Sequence, residues 1–224
     1  MKQRRMKRAA VVTALVLVIC MSVTACGTDF DAKRYVQGCL DAMTKGKFDD
    51  YTAMANINAE EAQKQYDESM DQEMKAMMGS LSLSEELQQE YREMFKNLYA
   101  KCKYEVGEAV KNSSDSYTVP VKVYKMKIFE GIMQDAQKEA TEYVNKQMKK
   151  NPDKVPSKED VTKKTLEYLL ELMTKKLENV EYGEETNIDV AVTRDKSQGN
   201  VFAIPDATYT QILNACMDAK KASS

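Results

Sequence analysis

The spacing of apolar residues changes along the chain, and these changes limit the fold more than any other feature. Apolar residues recur every three or four positions from Tyr35 to Leu98, which is typical of amphipathic helices. They alternate with polar residues from Cys102 to Val123, which is typical of strands with one buried face. Helical spacing returns over 129–177, alternation over 188–192, and a final helical segment follows. Helices and strands in this order predict an α+β fold.

The predicted sheet is small and antiparallel, with about four strands packed with several helices. The strands are predicted at 101–106, 117–123, 188–192 and 201–204. The first two read as a hairpin whose turn is Asn112 to Asp115, and Asp195 to Asn200 is a second turn. A long helical hairpin, residues 128–178, is predicted as an insertion between the second and third strands. Proline has no backbone N–H to donate to a neighbouring strand. Pro120 therefore predicts either that its strand lies at an edge of the sheet or that its nitrogen faces away from a paired strand.

Several residues predict where the helices begin and end. Asp31 caps a first helix that Gly46 ends, and Ser84 caps the fourth. Asn58 starts the long third helix, with Glu61 placed to complete a capping box. Ser157 with Asp160 three residues later predicts the start of the second arm of the helical hairpin.

The N-terminal segment has the order of an export signal. Five cations precede an apolar run from Ala9 to Met21, which is shorter than the roughly twenty residues that span a bilayer. Val23-Thr24-Ala25-Cys26 follows and resembles the lipobox of bacterial lipoproteins, in which the cysteine is lipidated and becomes the new N-terminus. The alternatives are an ordinary secretory signal cut elsewhere, or an uncleaved anchor.

The lipobox resemblance divides the chain into three parts. Residues 1–25 are expected to be a lipoprotein signal peptide, 26–30 a short lipidated tether, and 31–224 a single α+β domain. The expected location is the outer face of the cell membrane, where acyl chains on Cys26 hold the protein. Membrane contact through Cys26 is therefore the first predicted partner interaction.

Charge and composition exclude several functional classes. The full chain has 33 basic and 35 acidic residues. Removal of the signal peptide with its five cations leaves 28 basic residues, so the mature chain has a net charge of about −7. An acidic chain argues against nucleic acid as a partner. Histidine and tryptophan are absent, which excludes histidine-based catalysis and zinc sites that need imidazole. Carboxylate chemistry remains open, and no cofactor is predicted.

Three cysteines remain after lipidation: Cys39, Cys102 and Cys216. Each falls among the apolar residues of its own segment, which favours buried thiols that act as small hydrophobic groups. A single disulfide is an alternative outside the membrane, and the odd count would then leave one thiol free.

Candidate ligand-binding residues come from the methionines and tyrosines. Met70, Met74, Met77 and Met78 lie on one helix, and Tyr66 shares their stripe. Tyr35, Tyr51, Tyr91 and Tyr104 also fall on predicted inward faces. Core packing is the favoured interpretation of both sets. The alternatives are an adaptable hydrophobic surface or a Cu(I) site for the methionines, and an aromatic-lined ligand cavity for the tyrosines. Met70, Met74, Tyr66 and Tyr104 are the resulting ligand-binding candidates.

Adjacent acidic pairs are the remaining candidates for chemistry. They are Asp49 with Asp50, Glu60 with Glu61, and Glu184 with Glu185. Sequence neighbours do not face one another on a helix or a strand, so these pairs are interpreted as solvated surface. No catalytic residue and no metal site is therefore predicted.

A wider family resemblance rests on three features together. They are the Lys45-Gly46-Lys47-Phe48-Asp49-Asp50-Tyr51 junction, the hairpin from Tyr104 to Val123, and the lipobox. These resemble bacterial lipoproteins of unknown function with a nuclear transport factor 2-like or cystatin-like fold. The resemblance implies that fold, and it assigns no catalytic residue.

Three functional hypotheses follow. The leading one is a non-catalytic, membrane-anchored extracytoplasmic module that binds a protein, peptide or small molecule. The second is a carboxylate-dependent envelope hydrolase, which would require a buried, converging pair of carboxylates in the largest cleft. The third is a solute-binding receptor of a transporter, which would require two facing lobes.

Overall fold

The computed structural model describes residues 30–55, 57–78, 83–152, 155–195 and 201–217. The predicted signal peptide, Cys26 and the turn residues 196–200 lie outside this part. The described elements, in chain order, are α1 (Ala32–Lys45), α2 (Asp49–Ala55), α3 (Ala59–Met78), α4 (Glu85–Ala100), β1 (Lys103–Val106), β2 (Val110–Ser113), β3 (Ser116–Met126), α5 (Ile132–Lys150), α6 (Lys158–Glu178), β4 (Tyr182–Asp195), β5 (Val201–Ala203) and α7 (Asp206–Met217). The predicted α+β class is confirmed.

The sheet is antiparallel and has β3 at its centre. β4 pairs along one edge of β3, and β5 pairs with β4. Val119 lies opposite Val190 and Val121 opposite Ile188, so these residues share a face. All four are buried, and α1 and α7 pack with the sheet. Because side chains alternate along a strand, the polar residues between them lie on the opposite face of the sheet.

Two strands, β1 and β2, pair along the other edge of β3, where a single strand was predicted. β1 pairs with residues 121–124 of β3, whereas β2 pairs with residues 116–118. Asn112, predicted as turn, therefore lies in a strand, and the chain reverses at Ser114 and Asp115. β2 shows no alternation that could reveal it, because all four of its residues are exposed.

Pro120 lies inside the sheet, so its predicted edge location is wrong and the alternative applies. Its carbonyl accepts a hydrogen bond from the N–H of Gly107, 2.8 Å away, in the segment between β1 and β2. The nitrogen and the carbonyl of one strand residue point to the same side. The Pro120 nitrogen therefore faces the gap between β1 and β2, where no paired strand needs an N–H donor. A Cβ on Gly107 would approach Cγ of Pro120 to 2.8 Å, which explains a glycine at this crossing.

The helix caps predicted at Asp31, Gly46, Ser84 and Ser157 form. Asp31 accepts from the N–H of Arg34, and Gly46 ends α1 with a φ of 59°, a conformation that glycine adopts without strain. Ser84 accepts from the N–H of Leu87 at the start of α4. Ser157 and Asp160 form the full capping box at the start of α6.

Helices α5 and α6 lie between β3 and β4 in chain order and pack against each other. Only Ile132 and Ala136 of α5 are buried, both near its start. Met133 and Met148 fall at helical spacing with the other apolar residues of α5, but they are 51% and 41% exposed. α6 also packs against α4, and its buried residues lie in its second half, so the far end of the hairpin has no core of its own.

Candidate functional site

A groove between α4 and α6 is the first candidate site. It has a volume of about 950 Å³, with Met94 and Leu170 as buried apolar residues in its lining. On α4 its lining extends from Glu86 to Asn97, about 16 Å of helix at 1.5 Å per residue. These dimensions suit an elongated ligand with apolar groups along one side.

The rim of this groove is acidic. Six glutamates contribute to the lining, and Lys175 is the lysine among the lining residues. The six are Glu86, Glu90, Glu93, Glu167, Glu171 and Glu178. Glu93 lies 3.5 Å from the ammonium of Lys96 and Glu167 lies 2.7 Å from that of Lys164, whereas the other four form none of the ion pairs found in the described chain. The groove therefore presents a field that favours cations.

Helix α4, one wall of the groove, is held by contacts with α6 and with α3. The Tyr91 hydroxyl on α4 donates to the carbonyl of Leu166 on α6, 2.6 Å away. On the other side of α4, the Arg92 guanidinium pairs with Asp71 and Asp67 of α3 at 2.7 Å and 2.9 Å. The Arg92 side chain is 17% exposed, whereas those of Asp67 and Asp71 are 36% and 64% exposed, so solvent partly screens these pairs. The glutamates of α4 therefore project from a helix held on both sides.

The four predicted ligand-binding residues lie outside this groove. Met70 and Tyr66 are buried in the core, and Met74 is 9% exposed beside a second depression, of about 490 Å³, between α3 and α4. The inward faces predicted for the tyrosines are confirmed by burial of all five. A ligand contact by Met70, Met74, Tyr66 or Tyr104 stays a prediction.

Tyr104 joins β1 to α1 through a polar network. Its hydroxyl donates to Asp41 at 2.6 Å and lies 3.1 Å from the Thr44 hydroxyl. The Lys45 ammonium lies 2.7 Å from Asp41 and 4.3 Å from the centre of the Tyr104 ring. Burial raises the pKa of Asp41, but hydrogen bonds from Lys45, Tyr104 and Gln37 outweigh burial and lower it overall. This arrangement holds α1 on the sheet.

Glu73 is a buried acid that the sequence analysis missed. It is 5% exposed on α3, and its Oε1 accepts a 2.6 Å hydrogen bond from the Tyr99 hydroxyl. Its Oε2 has no hydrogen-bond partner among the described residues. Glu73 falls at helical spacing between Met70 and Met77, so a carboxylate on an apolar stripe was the available signal.

The Glu73 carboxyl links stability to pH. Burial raises its pKa above the ordinary value of 4.5, and the hydrogen bond from Tyr99 only partly opposes this. The folded protein therefore holds this proton more tightly than the unfolded chain does. The contribution to stability is fully present below pH 4.5 and is lost as pH rises through the raised pKa. Asp41, with its lowered pKa, acts in the opposite sense and loses its contribution as pH falls.

The far end of the helical hairpin is a basic surface. A depression of about 940 Å³ there is lined by Lys146, Lys149, Lys150 and Lys164 together with Tyr143 and Tyr168. Glu139 and Glu142 also line it, so the charge is mixed. Its chemistry is weaker evidence for a ligand than the groove, because it lacks buried apolar residues in its lining.

Two other kinds of site are absent from the described residues. No helix there is long and apolar enough to cross a bilayer. No group of three or more cysteine or acidic residues is placed to hold a metal ion there.

Comparison with known proteins gives a likeness to a solved structure. No protein-family model matches the chain, and no curated protein matches it. The crystal structure of a putative lipoprotein from Bacillus subtilis is similar, with a TM-score of 0.58 and 13% sequence identity. The likeness covers 84% of this chain and 56% of that chain, so this chain spans little more than half of its neighbour's length. At this identity the likeness shows a common fold. The nuclear transport factor 2-like or cystatin-like resemblance stays a prediction.

Proposed function

We propose that this protein is a lipid-anchored extracytoplasmic binding module whose α4–α6 groove holds a basic peptide segment of a partner protein. The observation that carries the proposal is the groove itself, with Met94 and Leu170 in its lining and six glutamates around them. A peptide that presents apolar side chains on one face and lysine or arginine on the other complements this surface.

The anchor part of the proposal has two supports. The first is the signal-like segment that ends at Val23 to Cys26. The second is the fold shared with a protein described as a lipoprotein. Two acyl chains on one cysteine would give a durable membrane attachment.

The position of the described N-terminus supports presentation of the hairpin away from the membrane. The Phe30 ring stacks on Phe202 at 3.9 Å and lies 5.5 Å from the Tyr117 ring, near the start of β3. The helical hairpin begins beyond Met126 at the other end of β3, about 30 Å away at 3.3 Å per residue. Cys26 precedes Phe30 by four residues, which reach at most about 14 Å. The sheet end at Tyr117 would then face the lipid.

The two rival hypotheses find less support. Of the groove's glutamates, five are exposed and Glu167 is half-buried, so they do not form the buried, converging pair that a hydrolase would need. Glu73 is buried but does not line the groove. A solute-binding receptor would need two facing lobes, whereas buried residues from α1 to α7 form one core cluster.

Replacement of Cys26 by alanine tests the anchor. We expect Cys26→Ala to remove the lipid and to leave the protein as an unprocessed precursor or release it from membranes. Cys20→Ala is the matched control, because it removes a thiol from the apolar run and leaves the lipobox intact. Fractionation with metabolic labelling by a fatty acid gives the readout. Lipid on the Cys26→Ala protein would refute the assignment.

Charge removal tests the groove. We expect Glu90→Gln with Glu171→Gln to weaken binding of an amphipathic lysine-rich peptide about two- to thirtyfold, since two exposed ion pairs are lost and each contributes about 0.2–1 kcal/mol. Raised salt should weaken binding to the unmodified protein for the same reason. Titration calorimetry measures both effects.

The matched control for the groove variant is Glu181→Gln with Glu184→Gln, which removes two exposed carboxylates near the start of β4. We expect it to bind the peptide as the unmodified protein does. A peptide with glutamate in place of each lysine should not bind. Equal affinities of the two double variants would refute the groove as the peptide-binding site. If spermine bound and the peptide did not, the ligand of the groove would be a polyamine rather than a segment of a partner protein.

A further inference from the structure

The far end of the α5–α6 hairpin is basic, although the chain as a whole is acidic. Residues 146–164 hold seven lysines and three acidic residues, whereas the mature chain has a net charge of about −7. Lys146 and Lys150 lie 14 and 18 residues beyond Ile132, or about 21 and 27 Å along α5. The buried residues of α5 are near its start, so these lysines stand clear of the core.

The depression at this end of the hairpin is lined by hydrogen-bond donors that lack acceptors. Lys146, Lys149 and Lys150 line it and take part in none of the ion pairs or hydrogen bonds found in the described chain. The hydroxyls of Tyr143 and Tyr168, two half-buried residues of the same lining, also have no hydrogen-bond partner there. Three ammonium groups and two hydroxyls are therefore available to one ligand.

The acidic residues near this depression cancel only part of its charge. Lys164, the fourth lysine of the lining, is paired with Glu167 at 2.7 Å. Glu142 lies 4.0 Å from the ammonium of Lys138. Glu139 is the other acidic residue of the lining, and it lies about 10 Å of helix before the first of the three unpaired lysines. The uncompensated charge at the 146–150 end is therefore positive.

Phosphate is the ligand group that matches this set of donors. It carries several charged oxygens, which can accept hydrogen bonds from ammonium groups and hydroxyls at the same time, and lysine binds phosphate as a point charge. The depression has a volume of about 940 Å³, which is several times larger than one phosphate group. A ligand with linked phosphate groups would use this space and all three unpaired lysines.

We propose that the end of the α5–α6 hairpin, at Lys146, Lys149 and Lys150, binds a linear polymer that carries phosphate groups along its chain. The glutamates of the α4–α6 groove would repel this ligand, so the two sites take ligands of opposite charge. The acidic body would likewise favour contact at the hairpin end. Only the source of the polymer, the cell envelope, rests on the proposed function; the binding itself depends on the hairpin.

Replacement of the three lysines tests the site. We expect Lys146→Gln with Lys149→Gln and Lys150→Gln to weaken binding of inorganic polyphosphate at least about threefold, because three charge contacts are lost. The plot of log affinity against log salt concentration should become less steep by about 2, at about 0.7 per phosphate neutralised, the value for single-stranded nucleic acids. Titration calorimetry on the lipidated protein in neutral detergent measures both quantities.

The matched control removes three exposed lysines from other parts of the chain, Lys47→Gln, Lys64→Gln and Lys111→Gln. It should retain the affinity and the salt dependence of the unmodified protein. Equal weakening by the two triple variants would show that binding follows net charge, and it would overturn the site. No binding of polyphosphate by the unmodified protein would overturn it as well.

Two other probes test the chemistry of the ligand. Polyglutamate with the same number of charges should bind more weakly than polyphosphate, and equal affinity would overturn the choice of phosphate. Inorganic orthophosphate should also bind more weakly, and equal affinity would replace the polymer with a single phosphate group. Glu90→Gln with Glu171→Gln should bind polyphosphate at least as tightly as the unmodified protein. Failure of the groove to bind its peptide would leave this result unchanged, so the two proposals fail separately.

Discussion

Replacement of Phe202 by alanine is expected to lower the free energy of unfolding by about 3–5 kcal/mol, the usual cost of removing a buried aromatic ring. Phe202 is 1% exposed on the short strand β5. Its ring stacks on Phe30 at 3.9 Å and meets the Tyr117 ring edge-on at 5.6 Å, and the Arg194 guanidinium lies 4.4 Å from its centre. Loss of these contacts would leave a cavity between the sheet and the start of α1. Urea unfolding measures the change.

The Phe202 prediction has a control and a second readout. Val110→Ala on β2 should change stability by less than about 0.5 kcal/mol, because Val110 is 59% exposed. Since Phe30 loses its stacking partner, trypsin should also cut at Lys33 or Arg34 earlier in Phe202→Ala. In the unmodified protein, exposed Lys149 and Lys150 should be cut first. Equal unfolding midpoints for Phe202→Ala and Val110→Ala would show that the aromatic cluster does not stabilise the fold.

Features set by neighbours in sequence were predicted well. Asp31 and Gly46 bound α1, and Ser157 with Asp160 starts α6, because a cap depends on the backbone within one helical turn. The alternating residues of β3 and β4 are buried as predicted, because one face of the sheet packs with helices. β2 was missed since its residues are all exposed and leave no pattern.

Features that depend on the packing of distant segments could not be predicted. The glutamates of α4 were not among the predicted site residues, because nothing in the local sequence shows that α6 lies beside them. The groove exists because Tyr91 on α4 is hydrogen-bonded to Leu166 on α6, and Met94 and Leu170 of the same two helices line it. The candidate groove of this protein is thus a consequence of its helix packing rather than of a sequence motif.

The buried face of α3 provides the second large effect. We expect Met70→Asp to lower the free energy of unfolding by about 3–5 kcal/mol at pH 7, the cost of a buried charge without a partner. Met70 is fully buried, whereas Met74 is beside a depression that Arg92 also lines and is a less severe position. Gln72→Asp is the matched control, because it adds the same charge on the exposed side of the same helix.

Glu73 shows what the new carboxylate would lack. This native acid, three residues after Met70, is tolerated because the Tyr99 hydroxyl donates to it at 2.6 Å and because burial raises its pKa. An aspartate at position 70 has a shorter side chain and replaces an apolar contact. Burial should raise its pKa as well, so the destabilisation should be smaller at pH 4 than at pH 7. Urea unfolding of Met70→Asp and Gln72→Asp at both pH values measures this, and equal midpoints at pH 7 would mean that the methionine face of α3 is open to solvent.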